Sequence, residues 1–467
     1  MSSFPRAAEP LDPSVLRSQI AGDIVTPDGE GWDAARLAWN LAVDQRPAMV
    51  ALPQTAADAA AVVAYAAEND LRVALQGTGH GAAARGGELS DAILMKMERM
   101  RRIEIDAVSR TARVEAGVVW AEVAEAAGTY GLAALAGSSP DVGVVGYTLG
   151  GGLSWLGRRY GLAASNVISV EIVTADGAIR RVDAETDPDL FWAIRGGGGS
   201  FGAVTAIEFA LFPVAEVYAG VMLFPAERTS EILHAWREWT VDMPDAMTTV
   251  GRLLQLPPIP DIPEPLRGRS FVGVEAFYLG SEAEGAELVA PIRALGPEID
   301  TVATIPAAAL HHVHMDPEHP VPGLGDGMLL DDLPAAGIDA LVAAAGPESG
   351  SPLLSVEVRQ LGGAIATPAA GGGALSHLDA EFVLFGVGIA MSPEMGAAVT
   401  AHVGVIREAL APWEAETAYV NFAERDIPGD RLFGPYAHHR LRAVKAAYDP
   451  ADLFRSNHPV APAHQEP

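Results

Sequence analysis

A glycine-rich but apolar stretch at residues 138–166 constrains this chain more than any other feature. Its glycines are interspersed with valine, leucine and tryptophan, and it contains no lysine and only one acidic residue. A flexible linker would be polar, whereas these side chains favour burial. Because glycine lacks a Cβ and tolerates positive φ, it lets the backbone approach another group closely. The stretch therefore predicts the lining of a site for a large cofactor; tight turns in an ordinary Gly/Ala-rich domain are the alternative.

Composition narrows the classes of function. The 467 residues predict two or three domains, and the formal net charge of −29 argues against nucleic acid or an anionic membrane as a partner. The absence of cysteine excludes disulfides, thiolate metal sites, iron–sulfur clusters and cysteine catalysis. No secretion signal or long apolar span is recognisable. We expect a cytoplasmic protein that acts on a small molecule, with an oligomeric state that the sequence does not specify.

The apolar patterns of the first half predict a mixed α and β start. Residues 1–45 have helical spacing. A strand at 49–52, a helix at 55–68 with Thr55 as N-cap and a strand at 71–76 are expected to form a β-α-β unit. The elements predicted after it are a strand at 92–97, a hairpin at 102–117, a helix at 119–127, two strands about the Asp176-Gly177 turn, and a short helix, a glycine loop and a strand at 187–212.

The middle of the chain has a different pattern. Helices at 227–239, 282–295 and 394–410 alternate with strands at 270–279, 353–361 and 381–390, and proline-rich loops join them. The polar and apolar residues of 355–361 alternate, which is typical of a sheet with one covered face, so we predict an antiparallel sheet backed by helices. The last residues, from about 419, are too few for a domain and are expected to pack back on an earlier one.

The segment Gly77-Thr78-Gly79-His80-Gly81-Ala82 follows a predicted strand and matches G-x-G-x-x-A. A Rossmann turn must open a helix that faces a pyrophosphate, and the next residues contain too many glycines for that. A loop whose backbone N–H groups surround an anion is the remaining interpretation, and it still suits a diphosphate. His80 would then be either an exposed turn histidine or a histidine beside a bound cofactor.

Several motifs, in order along the chain, carry a family resemblance. They are GTGHG at 77–81, GSSPDVGVVGYTLGGGLSWLGRRYGL at 137–162 with Asn166, DLFWAIRGGGGSFGAVT at 189–205, YVN at 419–421 and YDPADLFRSNHPV at 448–460. Together they resemble the berberine bridge enzyme-like branch of the vanillyl-alcohol oxidase family of flavoproteins. The similarity covers the first 215 and the last 55 residues well, and the middle third only in general layout.

The resemblance implies an α+β, two-lobed fold of the vanillyl-alcohol oxidase type. Its FAD-binding lobe, of two α/β subdomains, is expected at residues 1–213, with a PCMH-type core at about 43–213. A substrate-binding lobe of antiparallel sheet backed by helices is expected at 214–411. Residues 412–467 would form a C-terminal segment that returns to the FAD-binding lobe.

The resemblance also implies how FAD is attached. In this family the histidine of the first loop bonds to the 8α-methyl carbon of the flavin, so His80 is the expected attachment point. Many relatives have a second attachment through a cysteine in G-x-C-x-x-V-G. Here Ser139 stands at that position, and a serine hydroxyl cannot form the thioether. We therefore predict covalent attachment through His80 only.

The remaining cofactor contacts are expected along the same motifs. The amides of Gly77, Thr78, Gly79 and His80 would hold the pyrophosphate, and backbone at Val204 would approach the adenine. The other expected cofactor contacts are Gly81, Ser138, Val142, Gly143, Gly146, Gly151, Gly152, Gly161, Asn166, Tyr419, Asn421 and Asn457.

For catalysis we single out Tyr419. Hydride transfer from a C–H that bears an OH or NH requires a group that takes the heteroatom proton, and a phenolate does so once its pKa falls from about 10. A cation or several hydrogen-bond donors near the ring would be needed for that. The alternative is a tyrosine that only packs on the ring and binds substrate. Tyr147 and Gln360 are further candidates for hydrogen bonds to the substrate.

The implied activity is an FAD-dependent oxidase that passes hydride from an alcohol, sugar or natural-product substrate to the flavin and reduces dioxygen to hydrogen peroxide. Val142 favours an oxidase, because relatives with valine at this position usually react with oxygen. A dehydrogenase or oxidative cyclase with another acceptor, and a non-catalytic flavin-binding protein, are the alternatives. His311, His312, His314 and His319 form the one metal-like cluster, but they lack a third ligand at a determined spacing, so no metal is expected.

Overall fold

The computed structural model describes residues 12–463, and its first lobe combines two sheets with short helices. The strands are β1 (Asp23–Val25), β2 (Arg46–Leu52), β3 (Arg72–Gln76), β4 (Glu88–Lys96), β5 (Ile103–Asp106), β6 (Thr111–Glu115), β7 (Val167–Val173), β8 (Ile179–Asp183) and β9 (Ala203–Ala210). The helices are α1 (Pro13–Arg17), α2 (Trp32–Ala35), α3 (Ala56–Glu68), α4 (Ala82–Arg85), α5 (Trp120–Gly128), α6 (Val144–Leu149), α7 (Gly157–Tyr160) and α8 (Pro188–Gly197).

The two sheets of this lobe differ in strand direction. In the first, β3 and β2 flank β4 and both run parallel to it, whereas β1 is antiparallel to β2. The second has the order β5-β6-β9-β7-β8 and is antiparallel throughout. Ile93, Trp120 and Phe201 are fully buried in one apolar core that the two sheets share. The two sheets therefore form one packed lobe.

Local signals predicted most of this lobe correctly. The Thr55 hydroxyl accepts a hydrogen bond from the backbone amide of Asp58 and so caps α3. The hairpins about residues 107–110 and 174–178 form as expected. The predicted helical start at 1–45 is wrong for the described part, because only α1, α2 and the short β1 form there. Gly22, Pro27, Gly29 and Gly31 interrupt the segment, and Gly31 adopts a φ of 80°. Residues 1–11 lie outside the described part.

The second lobe is an antiparallel sheet with helices on one face. Its strands are β10 (Glu216–Pro225), β11 (Met247–Gln255), β12 (Ser270–Tyr278), β13 (Ile299–Asp300), β14 (Ala303–Pro306), β15 (Gly323–Leu330), β16 (Ser355–Gln360) and β17 (Phe382–Ile389). Its helices are α9 (Thr229–Thr240), α10 (Glu282–Arg293), α11 (Ala335–Ala345) and α12 (Pro393–Leu410). The strand order is β13-β10-β12-β11-β16-β17-β15, with β14 also paired to β10, and every pairing is antiparallel. The predicted sheet class is confirmed.

The helices of the second lobe bury one face of its sheet and leave the other towards the first lobe. Trp236 of α9, Leu341 of α11 and Val399 of α12 pack in the same core as Val356 and Val358 of β16. None of the helices between residues 12 and 463 combines the length and the apolar character that crossing a membrane requires. The predicted boundaries at residues 213 and 411 stay predictions.

The C-terminal segment crosses back to the first lobe through α13 (Gly429–Phe433), α14 (Pro435–Tyr448) and β18 (Phe454–Arg455). Strand β18 adds in parallel to β3. The fully buried Lys445 ammonium donates to the Ser200 carbonyl oxygen at 2.7 Å and to Asp449 Oδ2 at 2.5 Å. Because a buried ammonium must be paired, these bonds hold the segment against the glycine loop before β9. Strand β18 and Lys445 thus place this segment against the first lobe.

Candidate active site

A cavity of about 440 Å³ lies between the two lobes and the returning C-terminal segment. Three segments of the first lobe line it, at 77–82, 137–150 and 197–204. The second lobe contributes side chains of β11, β16 and β17 and of the segment 314–323. Residues 419–424 and 456–458 complete the wall. The glycine-rich motifs and the tail are therefore brought together as the sequence predicted.

The first-lobe side of the cavity is made mainly of backbone. A Cβ added at Gly146 or Gly198 would meet no atom within 4 Å, and both residues line the cavity. Gly198 also has a φ of 71°, a conformation that favours glycine. The loop 77–81 is followed only by the one-turn helix α4, as the glycines after residue 82 predicted. This side therefore presents a surface that a flat or extended ligand could contact closely.

Most predicted cofactor contacts lie on this cavity. Those that line it are Gly77, Thr78, Gly79, His80, Gly81, Ser138, Val142, Gly143, Gly146, Val204, Tyr419, Asn421 and Asn457.

Gly151, Gly152, Gly161 and Asn166 do not line the cavity, so their prediction as direct cofactor contacts is corrected. A Cβ at Gly151 would lie 3.2 Å from Tyr419 Cε2, and one at Gly152 would lie 2.6 Å from Tyr147 Cε1. These two glycines, with φ of 110° and 75°, therefore give room to the tyrosine rings. Gly161 ends α7 with a φ of 80°. The Asn166 amide donates to the carbonyl oxygens of Tyr160 and Leu162, which closes a local turn.

The His80 ring is held on three sides. It stacks on Trp39 with ring centroids 4.0 Å apart, and its Nδ1 lies 2.7 Å from Thr78 Oγ1. Its Nε2 lies 3.4 Å from Asp141 Oδ1, and the Trp39 indole N–H donates to the other oxygen of Asp141. Burial would raise the pKa of Asp141, but its contacts with His80 and Trp39 outweigh burial and lower it. Asp141 is therefore an anion that orients the imidazole.

Ser139 stands where the resemblance places a cysteine attachment, and its hydroxyl forms a hydrogen bond within the protein. Its hydroxyl donates to Asp316 Oδ2 at 2.8 Å, and Asp316 also lines the cavity. The neighbouring Ser138 hydroxyl lies 3.3 Å from Arg359 Nη2. The loop that carries the two serines is thus fixed to the second lobe by hydrogen bonds.

Tyr419, Tyr147 and Asn421 lie together on the cavity wall. The Asn421 amide donates to the Tyr147 carbonyl oxygen at 2.9 Å and to the Tyr419 hydroxyl at 3.2 Å. Tyr419 is 3% exposed, and the Tyr147 hydroxyl is buried without a hydrogen-bond partner among residues 12–463. Two phenol groups therefore face the same space.

Both phenols are neutral at neutral pH. Burial raises the pKa of Tyr419 well above 10, and the Asn421 amide and the Arg359 cation offset this only in part. Burial also raises the pKa of Tyr147, with a further contribution from Tyr419, while Arg359 acts in the opposite direction. Neither tyrosine therefore has the lowered pKa that a tyrosinate base requires. Arg359 is nevertheless a cation near the ring of Tyr419, as the sequence analysis required.

Gln360 does not face the cavity, and its prediction as a substrate contact is corrected. Its amide donates to the Thr240 carbonyl oxygen at 2.8 Å, and its Oε1 accepts from the Thr249 hydroxyl at 3.3 Å. Successive side chains of a strand point to opposite faces, so Gln360 shares the helix-covered face with Val356 and Val358. Glu357 and Arg359 are the cavity-facing residues of β16. The same alternation, applied from the valines, would have identified them from the sequence.

A buried cluster of charges forms the second-lobe side. Arg252 on β11 lies directly opposite Glu357 on β16, and Arg359 holds Glu357 through two nitrogens at 2.8 and 3.0 Å. His314 lies between two carboxylates: its Nδ1 is 2.7 Å from Glu275 Oε2, and its Nε2 is 2.7 Å from Glu357 Oε2. The group comprises Arg252, Glu275, His314, Asp316, Glu357 and Arg359, which we call the charged cluster.

The charges in this cluster balance. Burial and Arg252 act to lower the pKa of His314, but Glu275 and Glu357 outweigh them and raise it to about 9. Burial would raise the pKa of Glu357 and of Asp316; Arg359 and His314 lower the first, and His314 and Arg252 lower the second. With His314 protonated, three cations face three carboxylates. Sequence analysis missed this cluster because strand pairing, not chain order, brings its members together.

The histidines of the metal-like cluster have separate environments. His311 and His312 lie in a 3-10 helix at Ala307–His312, and His312 pairs with Glu318. His314 is part of the charged cluster. No group of three or more candidate metal ligands occurs within residues 12–463.

The residues present fit an FAD. The backbone surface at Gly146 and Gly198 admits a ring or a phosphate chain that a Cβ would obstruct. His80 Nε2 and Tyr147 Oη are buried polar atoms without a hydrogen-bond partner in the described residues, and buried polar atoms normally have one. A cofactor with both an aromatic ring system and polar groups would meet these requirements.

Comparison with known proteins agrees with this geometry. A family model described as an FAD binding domain matches residues 47–183, and one described as berberine and berberine like matches residues 418–461. These two matches confirm the resemblance to berberine bridge enzyme-like flavoproteins and the prediction of an FAD-linked oxidoreductase. It is 27% identical to (R)-6-hydroxynicotine oxidase of Paenarthrobacter nicotinovorans over 476 residues, which cover 95% of this chain and 97% of the relative.

Two solved structures share the fold over nearly the whole chain. BBE-like 1 of Physcomitrella patens superposes with a TM-score of 0.86 at 21% identity, covering 97% of this chain and 100% of the other. The 6-hydroxy-D-nicotine oxidase of Arthrobacter nicotinovorans superposes with a TM-score of 0.79 at 25% identity, covering 93% and 97%. The expected two-lobed α+β fold of this FAD-linked oxidoreductase is thus confirmed.

Proposed function

We propose that this protein is an FAD-dependent oxidase whose flavin is attached through His80 alone and which oxidises an alcohol, a sugar or a natural-product substrate at a C–H bearing OH or NH. The observation that carries the proposal is the meeting of His80, Tyr147, Tyr419 and Asn421 in one cavity. Ser139 supports a single attachment, because its hydroxyl is engaged by Asp316 and cannot form a thioether.

The first lobe would hold the cofactor. The loop 77–81 would bind the diphosphate through backbone N–H groups, and the glycines of 143–150 would contact the flavin. When bound, FAD supplies the acceptor for the substrate hydride. Trp39 and Asp141 would keep the His80 ring in a fixed orientation, since the first stacks on it and the second lies beside its Nε2.

The two phenols would bind the reacting group. The Tyr419 oxygen, once deprotonated, would accept the heteroatom proton of the substrate, and the Tyr147 hydroxyl would donate a hydrogen bond to the same heteroatom. Because both phenols are neutral at neutral pH, Tyr419 must first lose its proton, and Arg359 favours that loss. The proposal therefore implies an activity that rises with pH.

Dioxygen as the acceptor is the finer part of the proposal, and Val142 supports it. Val142 lines the cavity beside the glycines, and its side chain is smaller than isoleucine. A bulkier residue at this position would obstruct the approach of dioxygen. It would obstruct the substrate less, because the substrate would bind from the second lobe.

A two-step assay tests the proposal. Mixing the protein anaerobically with panels of alcohols, sugars and secondary metabolites should bleach the flavin with at least one compound, and admitting air should restore the colour with stoichiometric hydrogen peroxide. A flavin that bleaches but stays colourless in air would contradict the oxidase assignment and favour another acceptor.

The matched variants are Val142→Ile and Val204→Ile, because both valines line the cavity and Val204 is expected at the adenine end. Val142→Ile should slow reoxidation by oxygen roughly tenfold, as an added methylene does in a tight site, with anaerobic bleaching unchanged. Equal slowing in both variants would remove Val142 as the support for the oxygen assignment.

A further inference from the structure

Arg85 is a partly buried cation without a carboxylate partner among residues 12–463. Its Nη1 donates to the Leu75 carbonyl oxygen at 3.1 Å, and its Nη2 donates to Gln45 Oε1 at 2.8 Å. Its Nε is buried and has no hydrogen-bond partner within the described chain. Arginine side chains are seldom buried unless an anion pairs with them. The function described above assigns no role to this residue.

The surroundings of Arg85 do not neutralise it. Arg455 is a cation whose charge acts on Arg85, and it already has its own partner, since its Nη1 lies 2.9 Å from Asp91 Oδ1. No ion pair joins Arg85 to an aspartate or glutamate of residues 12–463. Burial lowers the pKa of Arg85 to about 10, so the guanidinium keeps its charge at neutral pH. An uncompensated positive charge therefore remains at this position.

Arg85 lies on the cavity, next to the first glycine loop. It is the last residue of α4, the one-turn helix that follows residues 77–81, and it lines the same cavity. Its bond to Leu75, two residues before Gly77, brings the guanidinium back towards the start of that loop. Gln45, which is 1% exposed, fixes the second nitrogen. The cation is therefore held in place on the cavity that residues 77–81 also line.

We propose that Arg85 binds the diphosphate of FAD and supplies the positive charge that the backbone N–H groups of residues 77–81 lack. This inference rests on the proposed FAD site. A diphosphate carries negative charge and several acceptor oxygens, and a guanidinium is the side chain best suited to pair with phosphate oxygens. The free Nε–H of Arg85 and the loop amides would then bind the same anion.

The test separates the phosphate from the flavin ring. In a His80→Ala background, where the proposed covalent bond cannot form, bound flavin is removed and the protein is titrated with FAD and with riboflavin, which has no phosphate. Arg85→Gln should weaken FAD binding roughly ten- to hundredfold, the range for a lost charged hydrogen bond, and change riboflavin binding by less than about twofold. Arg85→Lys should recover part of the FAD affinity, because it keeps the charge.

Arg455→Gln is the matched control, because it removes a neighbouring arginine that is already paired with Asp91 and does not line the cavity. It should leave both affinities within about twofold. Thermal unfolding without flavin is expected at the same or a higher temperature in Arg85→Gln, since an unpaired buried charge is removed.

Equal losses for FAD and riboflavin, or a large drop in flavin-free stability, would mean that Arg85 is structural and would overturn the inference. Unchanged FAD affinity would overturn it as well. If the His80→Ala protein with Arg85 intact bound neither compound, the proposed FAD site itself would fail, and the inference with it.

Discussion

The two sides of the cavity are built in different ways. The first-lobe side is backbone, from glycine loops that are each continuous in sequence, such as 77–81 and 143–150. The second-lobe side is a cluster of side chains from β11, β12, β16 and the segment 314–316, which are far apart in sequence. The first side suits a cofactor that is common to the family. The second determines what lies opposite that cofactor, so differences in substrate among relatives are expected to depend on it.

The difference has an energetic counterpart. Glycine at the cofactor side costs conformational entropy and contributes no side-chain packing, so this side gains stability when a ligand fills it. In the charged cluster each charge is already paired with an opposite charge of the cluster. The cluster stabilises the fold only when all of its members are present. Substitutions should therefore act on cofactor binding at the first side and on folding at the second, with the tyrosines between them acting on catalysis.

The largest expected effect is at Tyr419, where the two sides meet. Tyr419→Phe should lower kcat by about 10²- to 10⁴-fold, the range for loss of a general base, and leave the flavin spectrum in place. Because Tyr419 has a raised pKa, activity should rise with pH from 6 to 9 in the natural protein and lose that rise in the variant. Tyr448→Phe, at a tyrosine away from the cavity, serves as the control. A Tyr419→Phe variant with unchanged kcat would remove the tyrosine from proton transfer.

The next effect tests the charged cluster. Glu357→Gln leaves the cations of His314 and Arg359 without their shared partner, and breaking a buried pair in this way should destabilise the protein by about 3–5 kcal/mol. Urea denaturation measures the change. Glu298→Gln breaks the ion pair with Arg269, whose side chains are both 41% exposed, and should leave the midpoint unchanged. Similar midpoints for both variants would show that the cluster does not stabilise the fold.

The pH dependence of stability gives a smaller effect. The pKa of His314 is raised in the folded protein to about 9 from an ordinary value of 6.5, so its contribution is complete below about pH 6.5 and is lost as pH rises through 9. The melting temperature of the natural protein should therefore fall between pH 7 and 9.5 by more than that of His314→Gln. His312→Gln, at the exposed pair with Glu318, should follow the natural protein. Parallel curves for all three proteins would contradict a protonated His314.

The smallest effect compares two glycines of the cofactor side. A Cβ at Gly146 enters open space, whereas one at Gly150 collides with the Asn421 amide. Gly146→Ala should keep the flavin-free stability, because alanine favours helix α6 by about 1 kcal/mol, and should weaken FAD binding in the His80→Ala background. Gly150→Ala should lower both, because Asn421 must move. If Gly146→Ala left FAD affinity unchanged, the glycine would serve the helix and not the cofactor.

The sequence allowed the first-lobe side of the cavity to be predicted but not the second-lobe side, and the reason is physical. Glycines, His80 and Tyr419 occur in short motifs, each continuous in sequence, that can be recognised without knowledge of the fold. Glu275, His314 and Arg359 meet only after strands pair, and no short spacing encodes that pairing. Gln360 lies on the same face of β16 as Val356 and Val358. The alternation of side chains along the strand therefore excludes it from the cavity, which the prediction did not consider. Gly151 and Gly152 were misassigned because glycine beside a cofactor and glycine beside a tyrosine ring look alike in a sequence.

The most direct test of the central claim is the location of the flavin after acid precipitation. We expect the purified protein to be yellow and the colour to remain with the acid-precipitated pellet. In the His80→Ala variant the colour should appear in the supernatant, while Ser139→Ala should behave as the natural protein. Colour in the supernatant of the natural protein would contradict the attachment through His80. A protein that stays colourless even after addition of FAD would contradict the cofactor site as a whole.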